Sequence, residues 1–188
     1  MPAGSLPTST RSRDERVILV LNGPSSSGKS TIALALRRQL GKWSAILALD
    51  DYYGMLSPQC ENNWRVFQAL NAALFASART LSESGFSVIL DTVFERQECV
   101  ELCRRMLPAA SVYFVGLQCP LDELRRREAQ RKDRAIGLAD SQFERVHSFC
   151  TYDVIVDTFC DSPDACASRI IGSVFVSVKV PSSARRTS

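Results

Sequence analysis

A glycine- and serine-rich segment near the amino terminus carries the residue types that bind phosphate. The segment GPSSSGKS begins at Gly23, ends at Ser30 and matches the pattern G-x-x-x-x-G-K-[ST]. In such a loop, backbone N–H groups surround phosphate oxygens, the lysine reaches the β- and γ-phosphates, and the last hydroxyl holds Mg²⁺. The pattern therefore predicts a P-loop that binds ATP and Mg²⁺. The predicted nucleotide-binding residues are Gly23, Pro24, Ser25, Ser26, Ser27, Gly28, Lys29, Ser30 and Thr31.

Two carboxylates follow short apolar runs further along the chain, Asp50 after AILAL and Asp91 after FSVIL. A carboxylate beside the γ-phosphate can accept the proton of a substrate hydroxyl, which is the chemistry of a kinase. We predict this role for Asp50 rather than Asp51, because Asp50 is the first polar residue after its run. Asp91 is predicted to support Mg²⁺ with Ser30, and positioning of the substrate is its alternative role. A turn-initiating role is the structural alternative for each carboxylate.

A basic stretch supplies side chains that could stabilise charge on a transferred phosphoryl group. Residues 125–134 contain six basic side chains, of which Arg131 and Arg134 lie nearest to the following Gly137. Arginine side chains offset the charge that develops during phosphoryl transfer. We therefore predict an Arg-rich lid in which Arg131 and Arg134 act in catalysis together with Lys29. A solvated helix face and a nucleic-acid-binding patch are the alternatives, and the second lacks interleaved aromatic residues.

The remaining candidates are one histidine and several large apolar or aromatic side chains. His147 is the only histidine of the chain, and a structural role is favoured over catalysis. Six large side chains are candidates for walls of the substrate pocket, but a place in the core is favoured for each one taken singly. These side chains are Tyr52, Tyr53, Met55, Trp64, Phe67 and Phe94.

Short apolar runs alternate with helical patterns, and these elements must position the candidate residues. Strands are predicted at 17–21, 45–49, 86–90, 112–117 and 154–156, and helices at 29–41, 62–84, 95–107, 139–149 and 163–177. A further helix begins near Pro120 and ends in the basic stretch. The order predicts an α/β fold of the P-loop NTPase type, a five-stranded parallel sheet with helices on both faces. Ligands of such sheets bind at the carboxyl ends of the strands, where Asp50 and Asp91 should lie.

Length, charge and cysteine content set the class of protein. The 188 residues predict one domain over 17–180, with disordered ends at 1–16 and 181–188 that are rich in serine and arginine. The net charge of +3 does not argue for nucleic acid or membrane, and no apolar run approaches the roughly 18 residues of a membrane span. The first 16 residues lack the apolar segment of a secretory signal. Seven cysteines without a C-x-x-C pattern indicate reduced, mostly buried thiols, so we expect a cytoplasmic protein.

Other P-loop classes fit the sequence poorly. Residues 51–54 match the D-x-x-G pattern of GTPases, but they follow the P-loop too closely, and an N-K-x-D motif does not occur. The L-S-G-G-Q signature of transporter ATPases has only a weak counterpart in LSESG. The small size and the basic stretch instead favour a kinase similar to nucleotide and small-metabolite kinases.

Several segments together resemble the chloramphenicol phosphotransferase-like family. The resemblance spans residues 17–160 and includes VILVLNGPSSSGKS, the strand ending in Asp50, GFSVILDTVF, and VHSFCTYDVIVDT. It also includes the pattern R-x-D-R-x-x-G-x-A between Arg131 and Ala139. The resemblance implies ATP-dependent phosphorylation of a primary hydroxyl, in the named case on an antibiotic. It further implies that Asp50 accepts the proton and that Lys29, Arg131 and Arg134 bind phosphates.

The acceptor itself is left open at this stage. Residues 51–63, which should build the acceptor pocket, depart from the family pattern. A small hydroxylated molecule is expected, either chloramphenicol, which would make the protein an antibiotic-resistance enzyme, or another metabolite such as a sugar nucleotide. A nucleotide- or RNA-binding module recruited through the basic stretch is the alternative from a different class. By analogy with the family, adenine is expected near residues 158–162, and the sequence does not indicate an oligomeric state.

Overall fold

A five-stranded parallel sheet forms the centre of the molecule. The computed structural model describes residues 16–131 and 137–178. Its strands run in the spatial order β2-β3-β1-β4-β5. They are β1 Ile18–Asn22, β2 Ser44–Ala48, β3 Ser87–Asp91, β4 Val112–Gln118 and β5 Val154–Asp157. The predicted α/β fold is confirmed.

Helices connect the strands in the right order for parallel crossovers. They are α1 Lys29–Leu40, α2 Leu49–Gly54, α3 Trp64–Glu83, α4 Gln97–Met106, α5 Leu121–Ala129, α6 Leu138–Gln142 and α7 Pro163–Val178. Short 3₁₀ turns occur at Ala109–Ser111 and Arg145–His147. None of the described helices is long and apolar enough to cross a membrane.

The core lies on both faces of the central strand β1, all five residues of which are buried. Because side chains alternate across a strand, Leu19 and Leu21 join the core beneath α1 and α7. Ile18 and Val20 join the opposite core, which α3 and α4 cover. Five of the seven cysteines are buried, as predicted, and they pack as small apolar groups.

Strand register brings the predicted carboxylates to one edge of the sheet. Leu21 of β1 and Ala48 of β2 both pair with Asp91, the last residue of β3. The carboxyl ends of three neighbouring strands therefore meet beside the loop that follows β1. This edge is where ligands bind in open parallel sheets.

Two predicted elements differ from the structure. Strand β2 ends at Ala48, so Asp50 does not close a strand but lies in the first turn of α2. Acidic side chains are stabilised there by the positive end of the helix dipole. The predicted helix at 139–149 is also wrong, because α6 ends at Gln142 and only a 3₁₀ turn follows. Beyond Gln142 the chain makes tertiary contacts instead of helical ones, such as the hydrogen bond of 2.8 Å that the Val146 carbonyl accepts from the Asn22 side chain.

The predicted disordered ends fall mainly outside the described residues. Residues 1–15 and 179–188 are not described, so the predictions for them stay predictions. The last helix, predicted at 163–177, is α7 and continues to Val178.

Candidate active site

The loop between β1 and α1 bends in a way that few sequences allow. Gly28 has φ 89° and Ser26 has φ 63°, both in the left-handed region. A Cβ atom on Gly23 would lie 2.8 Å from the Leu117 carbonyl oxygen, so only glycine fits there. The sequence motif therefore produces a tight loop that leads into the amino terminus of α1, where backbone N–H groups attract anions.

Buried hydroxyls line this loop. The Oγ atoms of Ser25, Ser26 and Ser27 are buried without a hydrogen-bond partner in the described part of the chain. Buried polar groups in proteins are normally paired, so three unpaired donors in one loop indicate a site for a ligand with acceptor atoms. Phosphate oxygens fit these donors, and Ser25 and Ser26 line a cleft of about 280 Å³.

The lysine of the motif lies across the loop. Lys29 Nζ donates hydrogen bonds to the carbonyls of Gly23 at 2.8 Å and Pro24 at 3.0 Å. Its ammonium group is thus held on the wall of the same cleft. A lysine in this position carries a point charge to phosphate oxygens.

Ser30 and Asp91 form a pair of oxygen ligands. Ser30 Oγ donates to Asp91 Oδ2 at 2.7 Å, and the Asp91 side chain lies at the boundary between buried and half-buried. Hydroxyl and carboxylate oxygens are ligands that Mg²⁺ accepts, usually with water and substrate phosphates completing its shell. The two residues therefore fit the predicted Mg²⁺ site in chemistry and in position.

Asp50 lies between two clefts. It lines the phosphate-loop cleft and also a neighbouring cleft of about 450 Å³ on the side of α2 and α3. Both carboxylates are exposed, but Asp51 lines neither of these clefts. The helix α2 turns consecutive side chains in different directions, so the second residue of the pair points away.

The basic stretch divides into two parts. On α5, Arg126 and Arg127 both form ion pairs with Glu123, at 2.6 and 2.7 Å, and Arg125 pairs with Asp140. These hydrogen bonds lower the pKa of Glu123 to about 2. Arg131 follows the helix and lines the phosphate-loop cleft.

A buried glutamate joins the ends of the segment that carries the remaining lid residues. Glu128 is 2% exposed and accepts hydrogen bonds from the backbone N–H groups of Gly137 at 2.8 Å and Ala139 at 2.9 Å. These contacts fix the start of α6 against α5. Arg134, the second predicted lid residue, lies outside the described residues.

Three of the six proposed pocket walls line the α2–α3 cleft. Tyr53, Trp64 and Phe67 are among its lining residues, and the rings of Trp64 and Phe67 stack with centroids 5.4 Å apart. Phe94 is instead fully buried in the core, and the partly buried Tyr52 packs against that core. Met55 is 75% exposed. The structure thus distinguishes cleft residues from core and exposed residues, which the sequence pattern could not do.

Gln142 is a residue of this region that sequence reasoning missed. It is 6% exposed and lines both clefts. Its Oε1 accepts from the Ser25 backbone N–H at 2.7 Å, and its Nε2 donates to Glu95 Oε1 at 2.7 Å. The available signal was a long polar side chain three residues after the buried Ala139, on the inward face of α6.

His147 belongs to a second group of side chains that the sequence did not connect. Its Nδ1 lies 2.8 Å from the Tyr152 hydroxyl, which also accepts from Asn22 Nδ2 at 2.6 Å. Burial and the nearby charge of Lys29 lower the pKa of His147. The imidazole is therefore a neutral hydrogen-bonding group near the loop, held by residues from β1 and from the segment before β5.

A third cleft, of about 410 Å³, adjoins the phosphate loop on the side of β5. It shares Ser26, Gly28, Thr31 and Arg131 with the phosphate-loop region and extends to Thr158, Asp161 and Pro163. Arg127 spans this side, since its Nη2 donates to the Thr158 carbonyl at 2.9 Å. The cleft coincides with the region where adenine was expected by analogy.

Comparisons with known proteins agree with this architecture. The family model of chloramphenicol phosphotransferase-like proteins matches residues 16–175, and the chain belongs to this family. A Mycobacterium tuberculosis protein, provisionally named an O-phosphotransferase, is 24% identical over 170 residues, which cover 77% of this chain and 76% of the relative.

Two solved structures have the same fold. An APS kinase of Mycobacterium tuberculosis, solved with AMPPNP and APS, has a TM-score of 0.70 at 20% identity and covers 85% of this chain and 98% of its own. A gluconokinase of Sinorhizobium meliloti has a TM-score of 0.60 at 16% identity, with 89% and 95% covered. At these identities the likeness establishes a P-loop kinase fold.

Proposed function

We propose that this member of the chloramphenicol phosphotransferase-like family is an ATP-dependent O-phosphotransferase that phosphorylates a hydroxyl of a small molecule. The observation that carries the proposal is that Asp50 lines both the phosphate-loop cleft and the α2–α3 cleft. A carboxylate at this junction lies between a γ-phosphate held by the loop and a hydroxyl held on the α2–α3 side.

The chemical step is direct transfer. The acceptor oxygen forms a bond to the γ-phosphorus of ATP, the bond from that phosphorus to the β,γ-bridging oxygen breaks, and ADP leaves. Asp50 takes the proton of the attacking hydroxyl. Catalysis of this kind depends mostly on positioning and on the stabilisation of charge.

The chain's own residues supply that positioning. The backbone and hydroxyl groups of residues 23–31 bind the phosphates, and Lys29 and Arg131 offset the charge on the transferred group, with Arg134 as a further proposed member. Ser30 and Asp91 would hold Mg²⁺, which when bound neutralises the β- and γ-phosphate oxygens. Their 2.7 Å hydrogen bond shows that both oxygens already face each other.

The alternative of an RNA-binding module is disfavoured by the ion pairs of α5. Three of the basic side chains there are engaged by Glu123, Asp122 and Asp140. Paired arginines offer less charge to a phosphate backbone, whose binding depends on unneutralised cations. A cytoplasmic location is part of the proposal, and a part in antibiotic resistance follows if the acceptor is an antibiotic such as chloramphenicol.

An acceptor screen tests the proposed function. Purified protein is incubated with Mg-ATP and a panel of hydroxylated compounds, beginning with chloramphenicol and including sugars and sugar nucleotides, and ADP release is followed. We expect at least one compound to raise ADP release and to gain the mass of one phosphate. Salt-sensitive RNA binding, without any acceptor-dependent ADP release, would instead favour the binding-module alternative.

A further inference from the structure

Glu95 is a carboxylate in the α2–α3 cleft that the proposed reaction does not use. It follows β3 and the buried residue Phe94, and it lines the same cleft as Asp50. Its side chain is 33% exposed, so solvent or a ligand can reach it. A carboxylate half-enclosed beside the proposed catalytic base is a candidate for contact with the acceptor.

The carboxylate is hydrogen-bonded on one side and forms a longer ion pair on the other. Glu95 Oε1 accepts a hydrogen bond from Gln142 Nε2 at 2.7 Å. The other oxygen, Oε2, lies 3.6 Å from Arg145 Nη2, which is beyond hydrogen-bond distance. A carboxylate has about four lone-pair positions, so Glu95 retains the capacity to accept further hydrogen bonds.

Gln142 links Glu95 to the phosphate loop. Since its Oε1 is bound by the Ser25 backbone N–H, its Nε2 is the end that must face Glu95. The amide is buried, and both of its ends are bonded at 2.7 Å. Gln142 thus sets the position of Glu95 relative to the loop that would hold the γ-phosphate.

The charges around the cleft favour a hydrogen-bond donor as the partner of Glu95. Asp50 and Glu95 are two acids in the lining, and the half-exposed Arg145 lies 3.6 Å from Glu95 without a hydrogen bond to it. The basic residue Arg96 places its guanidinium 4.1 Å from the centre of the Trp64 ring, where a cation–π contact holds it. An acceptor that presents hydroxyl or ammonium groups to the two acids would match this arrangement.

We propose that Glu95, positioned by Gln142, binds a second donor group of the acceptor, either a hydroxyl or a protonated amine, next to the hydroxyl that is phosphorylated. The acceptor class is therefore a diol or an amino alcohol rather than a simple alcohol. This inference rests on the proposed function, because it takes the α2–α3 cleft as the acceptor site. Glu95 acts here as a specificity-determining residue and Gln142 as a positioning residue.

Three matched probes test the inference. Phenethyl alcohol, styrene glycol and phenylglycinol share a phenyl ring and a primary alcohol, and they carry hydrogen, hydroxyl or ammonium on the adjacent carbon. Their dissociation constants are measured with protein loaded with Mg²⁺ and a non-hydrolysable ATP analogue. We expect the glycol and the amino alcohol to bind about 10–100-fold more tightly than phenethyl alcohol, the range for a hydrogen bond to a charged group.

Variants of the two residues assign the preference. Glu95→Leu should abolish it, whereas Glu98→Leu, a change of an exposed acid on α4, should leave it intact. Glu95→Gln should keep part of the preference for the glycol and lose that for the amino alcohol, because an amide oxygen accepts hydrogen bonds but carries no charge. Gln142→Leu should weaken the preference although Glu95 is still present, which loss of stability alone would not produce.

The outcomes separate this inference from the proposed function. Equal affinity for the three probes, including the absence of binding by any of them, overturns the role of Glu95, as does a preference that survives Glu95→Leu. ADP release that is as efficient with simple alcohols as with their diols leaves the kinase standing and overturns the inference. A Glu95-dependent preference without phosphate transfer to any alcohol overturns the proposed function instead.

Discussion

The phosphate loop and the α2–α3 cleft are built in different ways. The loop is one continuous segment, residues 23–31, whose shape depends on backbone conformation at positions such as Gly28. The cleft is assembled from side chains of α2, α3, α6 and the segment after β3. Asp50 lines both regions.

A functional region that is one continuous segment is determined by local sequence, whereas a region assembled from several segments is not. A loop that binds phosphate through backbone N–H groups needs glycines at set positions, and these leave a recognisable pattern. A pocket made of side chains from four segments depends on distances that no single segment encodes. We therefore expect changes in the loop to affect every reaction of the protein, and changes in the cleft, apart from the shared residue Asp50, to affect only the acceptor.

The largest effect is expected for Lys29→Ala, which removes the cation of the phosphate loop. The Lys29 ammonium donates hydrogen bonds to two loop carbonyls, and in the ATP complex it would contact the β- and γ-phosphates instead. We expect turnover to fall by about 10⁴-fold or more, comparable to the loss of other cations at a transferred phosphoryl group. Lys42→Ala, a change of a lysine at the far end of α1, is the control. An active Lys29→Ala protein would refute the role of the loop.

Asp50→Asn tests the junction of the two regions. The amide has the same shape but cannot take the proton, so kcat should fall by about 10²–10⁴-fold while ATP affinity is retained. Asp51→Asn is the matched control, since Asp51 is the neighbouring exposed carboxylate and lines neither cleft. Steady-state kinetics and nucleotide titration provide the measurement. If Asp51→Asn is the impaired variant, the proton acceptor has been assigned to the wrong residue of the pair.

Arg131→Ala tests whether the basic stretch divides into a catalytic part at the cleft and an ion-paired part on α5. Arg131 lines the phosphate-loop cleft, whereas Arg126 is engaged by Glu123 on the exposed side of α5. Loss of one donor to a developing charge should slow transfer by about 10²-fold, and Arg126→Ala should leave the rate unchanged. Single-turnover measurements compare the two. Equal rates for both variants would remove Arg131 from catalysis.

Asp91→Asn should change the metal requirement rather than the acceptor. Asp91 accepts the Ser30 hydrogen bond, and its charge would support the Mg²⁺ shell. We expect the Mg²⁺ concentration for half-maximal activity to rise about tenfold or more. A Mg²⁺ titration at saturating ATP provides the measurement. An unchanged Mg²⁺ dependence, together with a raised KM for the acceptor, would favour the alternative role of Asp91 in substrate positioning.

The smallest effect is expected in the pH dependence of stability, to which His147 contributes. Its folded-state pKa lies below the ordinary value of 6.5 because of burial and Lys29, so the unfolded chain binds more protons at mildly acidic pH. This contribution to stability is complete above pH 6.5 and is lost as the pH falls below it. His147→Gln should flatten the dependence of the denaturation midpoint on pH in this range. Superimposable curves for both proteins would show that His147 contributes nothing to it.

Much of the fold and of the loop could be predicted from the sequence, for physical reasons. The five strands are short apolar runs, and β1, which is continuous in Ile, Leu and Val, is buried on both faces. Asp91 was correctly placed at the end of its strand because it is the first charge after such a run. These features are local, so one stretch of sequence contains the whole signal.

The missed features depend on contacts between distant segments. Asn22 donates to the Val146 carbonyl across 124 residues, in the segment that was predicted to continue the helix at 139–149. Gln142 meets Ser25 across 117 residues, and Asp50 lies in a short helix that begins directly after β2. A helical or strand period carries no information on such pairs. The acceptor region was therefore less predictable than the phosphate loop.

The most direct test of the central claim follows the γ-phosphate itself. Protein is incubated with Mg²⁺ and ATP labelled in the γ-phosphate, with and without the acceptor found in the screen, and the label is located by mass spectrometry. We predict that the label appears on a hydroxyl of the acceptor, and that Asp50→Asn prevents this while ATP still binds. Label found only in inorganic phosphate, at a rate that the acceptor and Asp50 do not affect, would contradict the claim that this protein is an O-phosphotransferase.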